Sequence, residues 1–408
     1  MKNLRGIKAG TRDIDVVFLL LLGVVATFSL EKLNPILIVS LFVAQMGLML
    51  LRKQGVDFET TRYLWLLMAL FLLGPIGLLY TDNIPRGFDM IGRQVSFLLF
   101  PLFYCVYRIK RIELLFKVYC TSILLLVFLF EIDTLYRFFY KSDTFPLTLD
   151  LFLSYRYTGS NLTTLLEMHN AYFGMYILFA NVLLLDYLRT VRSISKFVVV
   201  LIVVCVQSLF LFQMIAKTAL VLNTLLVLGS IIYILVAQKK MKLLLFSAIV
   251  IIAAVFLSQT FLKLPIERIK DRFEELGQGQ DADRETRIKL WNAAVPIIKE
   301  NAFIGVGTGD VEDELHKSYR SKGVQSKSNV HNQYLDYLLG YGAVGLLVFL
   351  GVLAGALYHA MKTANYTYFC FTLIIMGCCF TENILSRQWG ITFYACFNYL
   401  LFLNAKKD

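Results

Sequence analysis

The sequence predicts an all-α integral membrane protein with about twelve transmembrane helices and one large, partly helical outer loop. Hydrophobic residues make up 58% of the 408 residues and charged residues only 17%, and a water-soluble chain of this size could not bury that much apolar surface. The apolar residues form runs of bilayer-crossing length, and short charged connections separate these runs. One polar stretch, 263–330, interrupts the pattern, so we expect the chemistry to lie there.

The positions of the spans follow from the length of a helix that crosses a bilayer, about twenty mostly apolar residues. The chain therefore divides into nine helices in 1–262, the outer loop in 263–332 and three helices in 333–408. The basic N-terminus precedes the first run without a cleavage site, which indicates a retained anchor. The predicted spans are 14–30, 34–51, 63–80, 94–107, 112–136, 167–187, 195–213, 216–236, 242–262, 333–358, 364–380 and 388–404.

The distribution of lysine and arginine orients the chain, because cytoplasmic connections hold an excess of these residues. If the N-terminus is inside, the inner connections contain twenty Lys and Arg and the short outer connections contain eight. Both termini are therefore predicted to be cytoplasmic, and the long loop is predicted to face outward. The net charge of +11 is mostly a signal of this topology and argues against nucleic-acid binding.

The cysteines and histidines argue against disulfide or metal chemistry. All seven cysteines lie within or at the edges of apolar runs, where small packing residues are expected. The four histidines form no HExxH motif, and no paired CxxC motif is present. An acidic run in the loop is interpreted as a solvated helix start: Asp310, Glu312, Asp313 and Glu314. We predict no metal and no cofactor.

Two segments of the loop, 269–276 and 286–298, have apolar residues at helical spacing, and Gly277–Gln280 separates them as a turn. In the second segment Ile288, Trp291, Ala294 and Ile298 occupy related positions.

Arg284 and Arg287 lie three residues apart, so on a helix their guanidinium groups share a face, with Trp291 one turn after Arg287. Two arginines on one face suit a phosphate or diphosphate, because the planar guanidinium binds phosphate oxygens bidentately. The alternative is an ordinary solvated amphipathic helix with Glu285 as the partner.

The glycines of Gly305–Gly309 permit positive φ angles and close backbone approach, which could cradle an anion. No Gly-Lys-Ser/Thr follows, and no strand-turn-helix context is visible. We therefore interpret the stretch as a turn that joins the loop helices, and we predict no nucleotide binding.

His331 and Asn332 open the tenth span at the outer boundary of the membrane. A neutral imidazole there can accept a proton from a hydroxyl group near neutral pH. Taken alone, such a histidine is more often a capping or packing residue. The glycines that follow are interpreted as sites of close helix packing: Gly340, Gly342 and Gly345.

Further charged residues fall at the same outer level, namely Lys217, Glu382, Arg387, Arg93 and, near the boundary, His169. Lys217 begins a span and is either a snorkelling anchor or a second cation for a phosphate in the plane of His331. Glu382 could pair with a nearby arginine, which would give both residues a structural role.

In these residues the chain resembles the O-antigen ligase and polymerase superfamily, bacterial polytopic enzymes that act on lipid-linked glycans. The shared pattern is Arg287 with Trp291, AFIGVGTG at 302–309, and His331, Asn332 and Tyr334 followed by Gly342 and Gly345. GLLYTDN at 77–83 and LLFPL at 98–102 also look similar. One position departs from the family: Lys217 stands where an arginine is common, which keeps the charge but loses the bidentate fork.

The resemblance implies a GT-C-like architecture in the bacterial cytoplasmic membrane, with the large loop in the periplasm. It further implies metal-independent, inverting transfer of a glycan from undecaprenyl diphosphate, without a nucleotide. In that scheme His331 is the general base, and Arg287, Lys217 and Arg284 bind the donor diphosphate. The supporting residues would be Asn332, Gln333, Trp291, Glu382 and Arg387.

Three functions remain open at this point. The first is a ligase that joins polymeric glycan to lipid A-core, and the second is a glycan polymerase or a protein O-oligosaccharyltransferase. The third is a transporter, which would place ionisable residues near mid-membrane in broken helices. The concentration of such residues at one outer surface favours the enzymes.

Overall fold

The computed structural model describes residues 15–52, 64–109, 111–191, 193–237 and 287–404, and in these ranges the chain is helical and contains no strand. Short 3₁₀ turns at 155–166 precede the eighth helix, and another at Ile384–Ser386 precedes the last. The helices are α1 (Val16–Ala26), α2 (Leu33–Arg52), α3 (Leu64–Leu78), α4 (Ile84–Gln94), α5 (Ser96–Val106), α6 (Ile112–Tyr140), α7 (Leu149–Phe152), α8 (Asn170–Leu188), α9 (Ile194–Gln213), α10 (Lys217–Ala237), α11 (287–300), α12 (Val311–Ser321), α13 (Gln333–Lys362), α14 (Tyr366–Thr381) and α15 (Gln388–Asn404).

The helices support a multi-pass membrane protein. Five of them are long and apolar enough to cross a bilayer by length and composition. Large apolar side chains such as Leu51 and Leu79 are 82% and 86% exposed, which a lipid environment accommodates and water does not. The five helices are Leu33–Leu51, Ile112–Tyr140, Asn170–Leu188, Ile194–Gln213 and Gln333–Lys362.

Most predicted spans coincide with a described helix. The span 242–262 lies outside the described residues, as do the loop segment 269–276, the turn at 277–280 and Arg284. The predicted fourth span, 94–107, corresponds to α5, which has only 11 residues. Helix α4 was not predicted, because its polar composition does not reach the apolar content of a span.

Helix α8 forms the centre of the bundle, since nearly all of its side chains are buried. Aromatic rings from α6 and α15 pack around it. The ring centroid of Phe397 lies 4.8 Å from the centroid of Phe179 and 5.0 Å from the centroid of Tyr119. The amide of Asn181 donates to Asn223 Oδ1 at 2.8 Å and links α8 to α10.

Contacts between residues distant in sequence sort the helix ends into two groups. At one end Thr308 Oγ1 donates to the carbonyl of Gly74, and Tyr172 Oη donates to the carbonyl of Asn383. We call this the loop end, because residues 287–332 pack there. At the other end Tyr107 Oη donates to Asp15 Oδ1, and Thr367 Oγ1 donates to Asp186 Oδ2. This grouping agrees with helices that run alternately up and down.

Helix α13 is broken at Gly342, where φ is +61° and ψ is −159°. In a continuous helix the N–H groups of Ala343 and Val344 would donate to the carbonyls four residues earlier. Instead they donate to the carbonyls of residues 302 and 303, while the carbonyls of residues 339 and 340 accept from the N–H groups of 306 and 307. The glycine-rich stretch therefore inserts into the break. The predicted span 333–358 coincides with α13 but is interrupted at Gly342, where residues 302–307 replace two helical bonds with four.

Candidate functional site

His331 lies at the loop end, immediately before α13, and its φ is +48°. Non-glycine residues rarely adopt this left-handed conformation, which persists only where the surroundings enforce it. Asn329 Oδ1 accepts from the N–H of His331 at 3.0 Å, and the N–H of Asn332 donates to Asn383 Oδ1 at 2.7 Å. The side chain of Asn332 caps α13 by accepting from Tyr334 N and Leu335 N. The backbone on both sides of His331 is thus fixed.

The imidazole of His331 contacts the carboxylate of Glu382, which follows α14. Nδ1 of His331 lies 3.1 Å from both carboxylate oxygens. Burial raises the pKa of the Glu382 carboxyl, but the hydrogen bond and charge of His331, the charge of His169 and the N–H of Asn383 together lower that pKa below its ordinary value. Glu382 is therefore ionised at neutral pH and accepts from Nδ1–H. This leaves Nε2 of His331 free to accept a proton.

His169 joins this pair from α8. Its Nδ1 accepts from the N–H of Ala171 at 3.3 Å, and its Nε2 lies 3.9 Å from Glu382 Oε2. Burial lowers the pKa of His169, and the positive charges of Arg387, His331 and Arg287 lower it further, although Glu382 raises it. Sequence reasoning placed His169 only near the boundary, whereas the structure brings it to the carboxylate.

Gln333 connects α13 to the turn that follows Glu382. Its Oε1 accepts from Leu385 N at 2.6 Å, and its Nε2 donates to Asp336 Oδ2 at 3.0 Å and Ser386 Oγ at 3.2 Å. Ser386 Oγ donates to Asp336 Oδ2 at 2.7 Å. The two segments that carry His331 and Glu382 are therefore held together by a buried polar network. Asp336 and Ser386 were not singled out from the sequence, although the polar run TENILSRQ at 381–388, between two spans, is a signal that could have pointed to Ser386.

Trp291 anchors α11 to the residue before His331, because its Nε1 donates to the carbonyl of Val330 at 2.8 Å. The buried face of α11 packs against α12. Of the four residues that share the predicted helical spacing, Ala294 is buried, Trp291 and Ile298 pack against the same cluster, and Ile288 is 48% exposed. The buried stripe consists of Leu290, Ala293, Ala294 and Ile297.

The structure brings only part of the predicted cation set to His331. Arg287 and Arg387 lie close enough to lower the pKa of His169, and Glu382 pairs with His331 rather than with an arginine. Lys217 is exposed at the first position of α10, and no hydrogen bond or ion pair among the described residues joins it to the His331 cluster. Arg284 lies outside the described residues.

The acidic run after Gly309 docks onto the connection between α3 and α4. Its first residue, Asp310, accepts from the N–H groups of Asp82 and Asn83 at 2.7 Å each. Asn83 Nδ2 donates to Asp313 Oδ2, and Glu312 forms an ion pair with Arg86. The interpretation as a solvated helix start was incomplete, because three of the four carboxylates bind residues 82–86, and the fourth, Glu314, pairs with Lys317. Among the described residues, no group of three or more His, Cys, Asp or Glu is arranged to hold a metal ion.

A cavity of about 700 Å³ opens beside His331. Its walls come from the α1–α2 connection, α4, the start of α12, the first two turns of α13 and the residues that begin α15. Charged and aromatic side chains dominate the lining, which includes Glu31, Arg86, Arg93, Glu167, Glu312, Lys327, His331, Asp336, Tyr337, Arg387 and Trp389.

The segment that carries Lys217, Arg287 and His331 matches a known protein family. Residues 209–350 match the family model described as O-antigen ligase. A search of curated proteins found no relative that matches the chain. Residues 209–350 are therefore similar to the O-antigen ligase family, and the predicted resemblance to the O-antigen ligase and polymerase superfamily is confirmed.

Proposed function

We propose that this protein transfers a glycan from undecaprenyl diphosphate to an acceptor hydroxyl, without a metal and with inversion at the anomeric carbon. The family match supports a membrane glycosyltransferase of the O-antigen ligase and polymerase type. The observation that carries the finer proposal is the contact of His331 Nδ1 with both oxygens of Glu382, which leaves Nε2 as a proton acceptor.

In the reaction, Nε2 of His331 takes the proton of the acceptor hydroxyl. The acceptor oxygen attacks the anomeric carbon as the bond from that carbon to the diphosphate oxygen breaks. The imidazolium that forms is stabilised by the ionised carboxylate of Glu382, in the same way that a buried carboxylate supports other catalytic histidines. His331 then releases the proton to water.

The departing diphosphate gains negative charge and needs cations. Arg287 is the best supported candidate, because it lies one turn before Trp291, whose Nε1 donates to the carbonyl of the residue next to His331, and because its charge acts on His169. Lys217 and Arg284 complete the proposed set from the sequence pattern. The donor is already activated as a diphosphate, so no nucleotide is required.

The position of the site follows from the proposed topology. The loop end faces the periplasm, both termini are cytoplasmic, and the lipid-linked donor enters laterally from the cytoplasmic membrane. This orientation rests on the excess of Lys and Arg in the connections at the other end.

We propose that the acceptor is lipid A-core, which makes the protein an O-antigen ligase. The alternatives are a glycan polymerase or a protein O-oligosaccharyltransferase that uses the same residues on a different acceptor. A transporter is disfavoured because the charged cluster lies at one end of the bundle rather than in mid-membrane.

Deletion of the gene in its bacterium separates these functions by product. Loss of a ligase leaves full-length polymer on its lipid carrier, and loss of a polymerase leaves single units on lipid A-core. Loss of an oligosaccharyltransferase leaves proteins unglycosylated and lipopolysaccharide intact. The parent gene should restore the product, and so should an Arg320→Ala control, which changes an exposed residue of α12. A deletion strain in which the lipid-linked glycans, the lipopolysaccharide and the glycosylated proteins are all unchanged would contradict the proposal.

A further inference from the structure

His331 lines the cavity and also contacts the carboxylate of Glu382. The lining of the cavity includes His331 but not Arg287, Glu382 or His169. The charge of Arg287 instead acts on His169, which lies beyond the carboxylate of Glu382. His331 is therefore the residue that the cavity wall shares with the contact to Glu382, and Arg287, the cation that the proposed function gives to the donor, lies outside that wall.

The charges of the cavity wall are balanced. Four cations and four carboxylates line it, and one pair of them, Arg86 and Glu312, already forms an ion pair. A diphosphate site needs an excess of cations, because each phosphate oxygen must be compensated. A wall with equal numbers of donors and acceptors suits a ligand that has many hydroxyl groups and no net charge.

Two aromatic residues of the wall have unused hydrogen-bonding groups. Trp389 Nε1 and Tyr337 Oη are buried and have no hydrogen-bond partner among the described residues. The backbone of Trp389 is fixed, since its carbonyl accepts from Tyr176 Oη at 3.0 Å. An aromatic ring with a polar edge suits a sugar, because the ring packs against C–H groups and the N–H or O–H binds a hydroxyl. A cavity of about 700 Å³ is in the size range of small-molecule sites.

We propose that this cavity binds the acceptor sugar and selects a sugar without net charge. This inference rests on the proposed function. Arg93 on α4 and Glu31 in the α1–α2 connection supply a donor and an acceptor for its hydroxyl groups. One hydroxyl then lies beside Nε2 of His331, and the donor approaches from the flank of Arg287.

Met90 offers a reporter that leaves the charges of the wall unchanged. It lines the cavity on α4, one turn before Arg93. The full-length Met90→Cys variant would be labelled in membranes with a charged thiol reagent, and the parent chain gives the background from its seven native cysteines. Ser321→Cys, at the exposed end of α12 and outside the cavity, is the matched control.

A panel of neutral methyl hexosides is expected to slow labelling of Met90→Cys and to leave Ser321→Cys unaffected. Inorganic pyrophosphate and hexose phosphates at the same concentration should protect Met90→Cys less than the neutral sugars. Adding Arg93→Ala to Met90→Cys should raise the sugar concentration needed for half-maximal protection by about tenfold, because a charged hydrogen bond is lost.

Stronger protection by pyrophosphate or hexose phosphates than by neutral sugars would overturn the proposal, and so would no protection by any methyl hexoside. These outcomes are separable from failure of the proposed function. If the deletion strain has unchanged glycans while methyl hexosides protect Met90→Cys, the transferase proposal fails and the sugar site stands. If transfer depends on His331 but no sugar protects Met90→Cys, the sugar site alone fails.

Discussion

The two flanks of His331 differ in how completely they are organised before a substrate binds. On the Glu382 flank, the carboxylate is buried and ionised, and each of its two oxygens lies 3.1 Å from Nδ1 of His331. On the Arg287 flank, Arg287 forms no ion pair with a carboxylate of the described residues, and its charge acts on His169. A general base must be held in place beforehand, whereas cations for a diphosphate receive their partner from the substrate.

The largest effect is expected from removing the base itself. His331→Ala should lower transfer by about 10²–10⁴-fold, the usual contribution of general base catalysis. Product formation from the lipid-linked donor in membranes measures this, with insertion checked by protein level. Retention of full transfer by a stably inserted His331→Ala protein would remove His331 from the chemistry and end the distinction between the flanks.

The Arg287 flank should give the next largest effect. Arg287→Ala should lower transfer by about 10²-fold, because one charge-assisted contact to the departing diphosphate is lost. Arg287→Lys should recover part of that loss, since it keeps the charge and loses the bidentate fork of the guanidinium.

Lys217→Ala tests the residue that the described contacts do not join to the cluster. If Lys217→Ala costs as much as Arg287→Ala, the diphosphate must reach both residues, and the two cations belong to one site.

Replacing the carboxylate should have an intermediate effect on the organised flank. Glu382→Gln keeps the shape of the side chain but removes the charge that stabilises the imidazolium, so transfer should fall by about 10–100-fold. The matched control is Glu300→Gln, an exposed position at the end of α11. Equal transfer by Glu382→Gln and Glu300→Gln would show that the contact with His331 is structural.

The smallest effect concerns the pH dependence of stability. Burial lowers the pKa of His169 in the folded protein, so between the folded and unfolded pKa values the unfolded chain binds more protons and stability falls as the pH falls. Glu382, whose pKa is also lowered, acts in the same direction but only below its own ordinary value of 4.5. The melting temperature of the parent protein should therefore fall from pH 7 to pH 5.

His169→Asn should make that fall shallower, because asparagine can cap α8 but does not titrate. Thermal unfolding in detergent at several pH values measures the slope. If the melting temperature of His169→Asn falls with pH as steeply as that of the parent, or more steeply, His169 is not the group responsible for the pH dependence.

Most of the described helices could be predicted from the sequence, but the arrangement of the site could not. Apolar length alone located helices such as α8 and α10, because a bilayer imposes one constraint on every span. The break at Gly342 was missed, since it depends on carbonyl and N–H groups that residues 302–307 supply from another part of the chain. The partner of His331 was missed for the same reason, because Glu382 lies 51 residues away along the chain.

His331 is proposed to act on the acceptor and Arg287 to hold the donor. Binding of the donor to catalytically impaired variants tests this division of roles most directly. Purified His331→Gln and Arg287→Ala proteins would be titrated with the undecaprenyl-diphosphate-linked glycan in lipid nanodiscs. His331→Gln is expected to bind the donor as tightly as the parent and to transfer none, and Arg287→Ala is expected to bind it about tenfold more weakly. Weaker donor binding by His331→Gln than by Arg287→Ala would contradict the division of roles between the two flanks.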